Sequence, residues 1–244
     1  MEKNVAPLLL LKNLRVFWPK KGTILQVDSW QIEAGRVYAL LGPNASGKST
    51  LAKVIAGLGG YRVSGEIIFQ GKKINNWPPE KRVKKGIALA FQSPPSLRGI
   101  LLGDFLRQIN PSLVNSSLAL SKELLAREVN VGFSGGEKKM SEVEQIITLR
   151  PKLAIFDEID SGLDMKNVRR IASLIKEHLL KKNTSLILIT HQGEILRHLP
   201  PDRVDILFKG RFICHSSSWR KVWRTVREYG YQKCRQCYEE SQKS

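Results

Sequence analysis

Long apolar runs are missing from this 244-residue chain, and none approaches the roughly 18 residues needed to cross a bilayer. The opening stretch, Met1-Glu2-Lys3-Asn4, has no signal-peptide pattern, because residues 8–11 form far too short an apolar core. The expectation is a cytoplasmic protein with no direct membrane insertion, brought to any membrane by something else. Cysteine is scarce, at three residues, which excludes a disulfide scaffold and fits a reducing compartment. Cys234 and Cys237 form a C-x-x-C, half a tetrahedral metal site at best, so a metal or cluster role would need ligands from another segment or chain. Cys214 lies in a strand-like segment and reads as a small buried apolar residue. Acidic residues are in deficit, 22 against 40 Lys plus Arg, for a formal charge of +18.

Such an excess invites a nucleic acid or an anionic membrane as partner. The basic residues are scattered, however, in doublets such as Lys72-Lys73, Lys84-Lys85 and Lys181-Lys182, and no long basic run with interleaved aromatics precedes the C-terminus. A general solubility bias is the plainer reading, and nucleic acid is not the expected partner. Internal repeats and low-complexity segments are absent too. With 42% hydrophobic and 25% charged residues the composition is that of a globular protein able to bury a core. The length suits one α/β domain with an appended piece.

Residues 42–50 read Gly-Pro-Asn-Ala-Ser-Gly-Lys-Ser-Thr, a G-x-x-x-x-G-K-S pattern set by Gly42, Gly47, Lys48 and Ser49. An apolar run at 37–41 precedes it as a buried strand, and 51–58 follow it with helical character. That context separates a phosphate loop from a chance glycine-rich turn. The loop from Gly42 through Pro43, Asn44, Ala45 and Ser46 to Gly47 can point successive backbone N–H groups inward around phosphates. The helix N-terminus behind it favours negative charge. Lys48 supplies a cation for the β- and γ-phosphates, the Ser49 hydroxyl is placed to hold Mg²⁺, and Thr50 closes the motif. The chain is therefore expected to bind a nucleoside triphosphate.

Along the chain, 8–17 and 26–32 suggest a hairpin, joined across Trp18, Pro19, Lys20, Lys21 and Gly22. Short strands are expected at 65–71 and 86–91, with a helix start after Trp77. From 93 to 131 the character changes to a helical insertion, with helical runs at 101–109 and 116–127. Ser134 can cap a helix reaching about 149. Apolar runs at 153–156 and 185–190, with a helical run at 168–180 between them, point to a parallel sheet covered on both faces. An edge hairpin at 204–208 and 211–215 precedes a basic helix from 218 to about 229, and residues 231–244 read as a basic tail.

Strand 153–156 ends in Asp157 and Glu158. A carboxylate at the C-terminal end of a parallel strand beside a phosphate loop is where a Mg²⁺ ligand belongs, and Asp157 suits it, directly or through water. Glu158 is placed to polarise an attacking water as general base. A lone Asp-Glu would be a solvated pair; its position makes this one a candidate catalytic pair.

Residues 42–49, Gln92, the Ser134-Gly135-Gly136-Glu137 segment, Asp157-Glu158, the Ser161-Gly162-Leu163-Asp164 segment and His191 fall in the order and spacing of ABC-type ATPases, which the chain resembles over about 8–230. Phe133 and Glu137 around the signature, Gly162 after the acidic pair, and residues 201–207 with Gly210-Arg211 resemble one branch, the SufC-type ATPases of the Suf iron–sulfur cluster assembly system. The resemblance implies an α/β ABC-type P-loop ATPase with a RecA-like parallel-sheet core, an N-terminal antiparallel β subdomain and a small helical subdomain. It divides the chain into a core at 1–92 and 132–230, a helical subdomain at 93–131 and the tail. It implies ATP and Mg²⁺ as cofactors, pairing with a second copy when ATP binds, and work on a soluble SufB/SufD-like scaffold. The alternative is the ATP-binding subunit of a membrane ABC transporter.

The resemblance also implies roles. Ser134, Gly135 and Gly136 would present a helix end to the γ-phosphate held by the other copy, and Asp164 would help arrange that opposing site. Gln92 would contact Mg²⁺ and water, and His191 would sense the γ-phosphate. Trp18 is the candidate to stack on adenine, with Phe17 as the open alternative. Several features depart from the pattern. Ala45 replaces a loop glycine, which is expected to require a negative φ. Met140-Ser141 stands where Arg-Asn is common, the helical insertion is short, and the C-x-x-C lies outside the pattern, so the chain reads as a divergent, simplified version.

Overall fold

The computed structural model describes residues 6–19, 22–111 and 120–241. Lys20, Lys21, the first part of the expected 116–127 helix and the ends of the chain fall outside them. Strands β1 (Leu9–Trp18) and β2 (Gly22–Ile32) pair antiparallel, as their short connection requires, and their alternating burial covers one face of the pair. β3 (Val37–Leu41) leads into α1 (Lys48–Ala56). β4 (Arg62–Phe69) and β5 (Lys72–Lys73) complete the order β2-β1-β4-β5 of the antiparallel sheet. α2 (Pro79–Lys84) starts on a proline, whose fixed φ suits a first helical turn, and β6 (Ile87–Ala90) follows.

The second sheet has the order β12-β11-β3-β10-β9-β6 and joins β9 (Leu153–Asp157), β10 (Ser185–Ile189) and β11 (Arg203–Phe208) to β3 and β6 as parallel neighbours. β12 (Arg211–Ser216) runs antiparallel at one edge. Every residue of β3, β9 and β10 is buried, because both faces of this sheet are covered. Within β3 the pleat divides the side chains: Val37, Ala39 and Leu41 enter one apolar core, Tyr38 and Leu40 the other. The second core lies between the two sheets and includes α1. The first is built with α5 (Gly135–Leu149) and α6 (Met165–His178).

Two expectations are corrected. The insertion is not wholly helical, because β7 (Leu97–Leu101) pairs antiparallel with β8 (Glu128–Val129) around α3 (Leu102–Ile109) and the short α4 (Lys122–Leu125). Gly99 takes a positive φ of 76° there and donates its N–H to Glu128 Oε1, a turn-and-ribbon pairing between residues far apart in sequence. Residues 231–241, expected as a tail, are helical: α8 runs Trp219–Ser241 after the one-turn α7 (Ile195–His198), with a kink at Gly230. Tyr231, Cys234 and Tyr238 pack on the core at helical spacing, which is what holds this segment down.

Candidate active site

The phosphate loop is shaped by backbone that only certain residues tolerate. Gly42 has φ 152°, and a Cβ there would lie 2.0 Å from the Leu207 carbonyl oxygen on β11. Gly47 has φ 107°, and its Cβ would strike Leu25 of β2 at 2.5 Å. β11 and β2 therefore press against the back of the loop and leave room for hydrogen alone. Ala45 also has a positive φ, 60°, where a negative one was expected. The loop curvature sets that angle, and Ala, the smallest chiral side chain, carries a cost of about 1 kcal/mol.

Lys48, at the start of α1, is buried, and its ammonium donates to the carbonyls of Gly42 and Pro43 at 2.8 and 2.9 Å. Burial lowers its pKa to about 8 against the pull of Glu158 and Asp157. An anion set before it would restore the charged form. Asp157, the last residue of β9, is buried; burial raises its pKa, while a hydrogen bond from Ser49 lowers it. Its Oδ1 has no hydrogen-bond partner among the described residues. A half-buried hydroxyl beside a buried carboxylate with an unpartnered oxygen fits a hard divalent cation such as Mg²⁺.

Glu158 follows in a left-handed conformation, φ 57°. Its Oε1 lies 2.7 Å from His191 Nε2, and its Oε2 accepts from Gln92 Nε2 at 2.5 Å. A non-glycine residue held at positive φ costs energy that the surroundings must offset. Here the Glu158 N–H donates to Ile189 O at 2.9 Å, and Lys139 Nζ donates to Glu158 O at 2.8 Å and to Gln92 O at 3.2 Å. Lys139 was not singled out from the sequence, yet it ties the two loops together from α5. The His191 loop is fixed independently. Asp160 Oδ2 accepts from Thr190 Oγ1 at 2.8 Å, and Thr190 Oγ1 accepts from Gly193 N at 2.9 Å.

Lys48, Ser49, Gln92, Glu158 and His191 share one cleft of about 870 Å³, whose lining does not include Asp157. Asn44, Ala45, Gly47, Lys48, Ser49 and Thr50 form its floor, and Gln92, Glu158 and His191 one wall. Trp18 also lines it, paired with Tyr61 at 5.1 Å between ring centroids. Phe17 is not part of the lining, whereas Trp18 and Tyr61 both are. Tyr61 was not anticipated; the pairing of Phe17 with Arg62 between β1 and β4 brings it beside Trp18.

Ser134, Gly135, Gly136 and Asp164 do not line the cleft. Ser134 and Glu137 close a capping box on α5, and Asp164 caps α6 by accepting from Asn167 N at 2.8 Å. A Cβ at Gly136 would lie 3.8 Å from both Asn167 and Leu163, so the starts of α5 and α6 are side by side. The phosphate loop and the paired starts of α5 and α6 are therefore separate features of the chain.

Residues 25–161 match the family described as ABC transporter. The chain is 38% identical over 235 residues to Probable ATP-dependent transporter ycf16 of Cyanophora paradoxa, covering 87% of this chain and 90% of that one. It is 37% identical over 245 residues to Probable ATP-dependent transporter SufC of Escherichia coli (strain K12), covering 92% and 97%. Among solved structures, a nucleotide-free ATP-binding cassette from an ABC transporter superposes with a TM-score of 0.75, covering 94% of this chain and 98% of its own, at 24% identity. That likeness concerns the fold alone.

Proposed function

The chain belongs to the ABC transporter family, among relatives named SufC and ycf16, and from that premise we propose that it is an ATPase that pairs on ATP and moves a SufB/SufD-like scaffold during iron–sulfur cluster assembly. The single observation that carries the enzymatic reading is Glu158, held between Gln92 and His191 above a phosphate loop. ATP would lie with its base against Trp18 and its phosphates over residues 42–50. Lys48 would neutralise the β- and γ-phosphates. Ser49, Asp157 and Gln92 would hold Mg²⁺, which when bound offsets charge on the transferring phosphoryl group. Glu158 would take the proton of the attacking water, and His191 would orient Glu158 and report the γ-phosphate.

Each Glu158 oxygen has one partner in the present arrangement, Gln92 or His191, which orients the carboxylate and leaves its remaining lone pairs open to a water. The helix end formed by Ser134, Gly135 and Gly136, with Asp164 beside it, lies outside the chain's own cleft, which supports its use on the nucleotide of a second copy. Two copies closing on ATP and reopening after hydrolysis would pull on whatever each carries. The proposed compartment is the cytoplasm; among the described residues no helix is long and apolar enough to cross a membrane.

A second reading, the ATP-binding subunit of a membrane transporter, is favoured by the word transporter in both relatives' names. Co-purification from the native cell separates the two. A soluble partner holding an iron–sulfur cluster is expected; a multi-spanning membrane partner would replace the assembly role and leave the ATPase intact.

A further inference from the structure

A groove of about 610 Å³ lies where α7 meets the first half of α8, far in sequence from the phosphate loop. Trp219 and Trp223 line it, one helical turn apart, and both pack against the apolar core. Around them stand Arg197 from α7 and Arg220, Arg224 and Arg227 from α8. The last three follow an i, i+4, i+7 spacing, so they form one stripe about 10 Å long. All four arginines are exposed. Arg197 pairs with Glu194 at 3.6 Å, but no carboxylate among the described residues pairs with Arg220, Arg224 or Arg227.

A row of unpaired like charges is unfavourable without a counter-charge. Guanidinium forks meet carboxylates two bonds at a time, and the Trp rings beside them offer apolar contact of the kind that anchors protein interfaces. We propose that this groove is a docking site for an acidic, apolar-anchored peptide segment of a partner protein, and that its occupancy is transmitted to the His191 loop through Trp223. A protein segment fits better than a nucleic acid. The stripe is short, and Glu228 in the lining and Glu194 beside Arg197 would repel a continuous phosphate track while leaving room for discrete acidic side chains.

The transmission rests on contact. A Cβ at Gly193 would meet the Trp223 ring at 2.5 Å, so the indole lies directly against that backbone. Gly193 donates to Thr190 Oγ1, and His191 sits between them in sequence. Beyond the Gly230 kink the same helix reaches the phosphate loop, where the Tyr231 phenol faces the backbone of Gly42. Pressure on Trp223 therefore bears on the loop that carries His191, the partner of Glu158.

The test uses the full chain and a fluorescein-labelled twelve-residue peptide of alternating Glu and Leu, with a Gln-for-Glu peptide as control. Fluorescence anisotropy is expected to show binding of the acidic peptide only, at least tenfold weaker in the R220E/R224E double variant. Hydrogen exchange across 190–197 is expected to slow when the peptide binds, and Trp223→Phe is expected to keep binding while losing that slowing. Equal binding by R220E/R224E would overturn the docking site. A twelve-residue thymidine oligonucleotide or phosphatidylserine vesicles that bind more tightly, with the same dependence on Arg220 and Arg224, would overturn the protein partner. Unchanged exchange at 190–197 on peptide binding would overturn the transmission. None of these readouts depends on an iron–sulfur scaffold, so they stand or fall separately from the assembly role.

Discussion

His191 Nε2 and Glu158 Oε1 meet at 2.7 Å although 33 positions separate them, because β9 and β10 are parallel neighbours that both end at the phosphate loop. The pair joins the group expected to move a proton to the group expected to sense the phosphate, and Gln92 closes it from a third loop.

Replacing Glu158 with Gln keeps the shape of that cluster and removes the proton acceptor. ATP turnover is expected to fall by roughly 10²- to 10³-fold, within the range for loss of a general base. The variant is expected to accumulate as a dimer with ATP and Mg²⁺ in light-scattering chromatography. A variant that stays monomeric, or hydrolyses at the parent rate, would show that Glu158 is not the base.

Lys48→Ala is expected to abolish hydrolysis and nucleotide binding, measured by phosphate release and titration with a fluorescent ATP analogue. Trp18→Ala should act differently, raising KM about tenfold with kcat preserved, because a stacking contact made equally in ground and transition states affects binding alone. Phe17→Ala, outside the cleft, should leave KM unchanged.

Glu142 in α5 is buried and accepts from Phe91 N at 2.9 Å; burial pushes its carboxyl up to about 7. The folded chain thus holds a proton here that the unfolded chain has already lost between about pH 4.5 and 7. Over that window the unfolded state binds fewer protons, so this group's contribution to stability is full below it and lost as pH rises through it. Urea denaturation from pH 5 to 8 should show the decline. Glu142→Gln should remove this slope and stabilise the chain at pH 8 by on the order of a few kcal/mol, and a parallel decline in both proteins would assign it elsewhere.

Ala45→Gly relieves the positive φ and adds unfolded-state entropy, opposing effects of similar size with the strain relief somewhat larger. The net expectation is about 0.5 kcal/mol of added stability, a rise in Tm of roughly 1–2 °C for a chain this long. A fall in Tm would mean that the loop does not hold Ala45 in the left-handed region.

Cys234 is buried, and burial raises its pKa to about 11, whereas Cys237 is exposed. Thiolate is the reactive form, so iodoacetamide at pH 7.5 should label Cys237 well before Cys234. Among the described residues no three His, Cys, Asp or Glu side chains are grouped to hold a metal ion. Equal labelling rates would mean that the second half of α8 opens in solution.

The amino-acid order alone determined the phosphate loop, the acidic pair at the end of β9 and the alternation of strand and helix, because each depends on neighbours within a few residues and on periodic burial. It also marked His191 and Gln92 through family spacing. Only the tertiary structure decided the rest. Tyr61 reaches Trp18 through strand pairing, Lys139 bridges two loops from a helix, and Ala45 takes a left-handed backbone angle within a loop whose glycines lie against β11 and β2. Residues 231–241 are ordered by Tyr231, Cys234 and Tyr238 settling on the core, and the β7–β8 ribbon joins segments separated by about 27 positions. Local sequence encodes what a segment can form and which groups it carries; contacts between distant segments select the backbone angles and the neighbours those groups finally have.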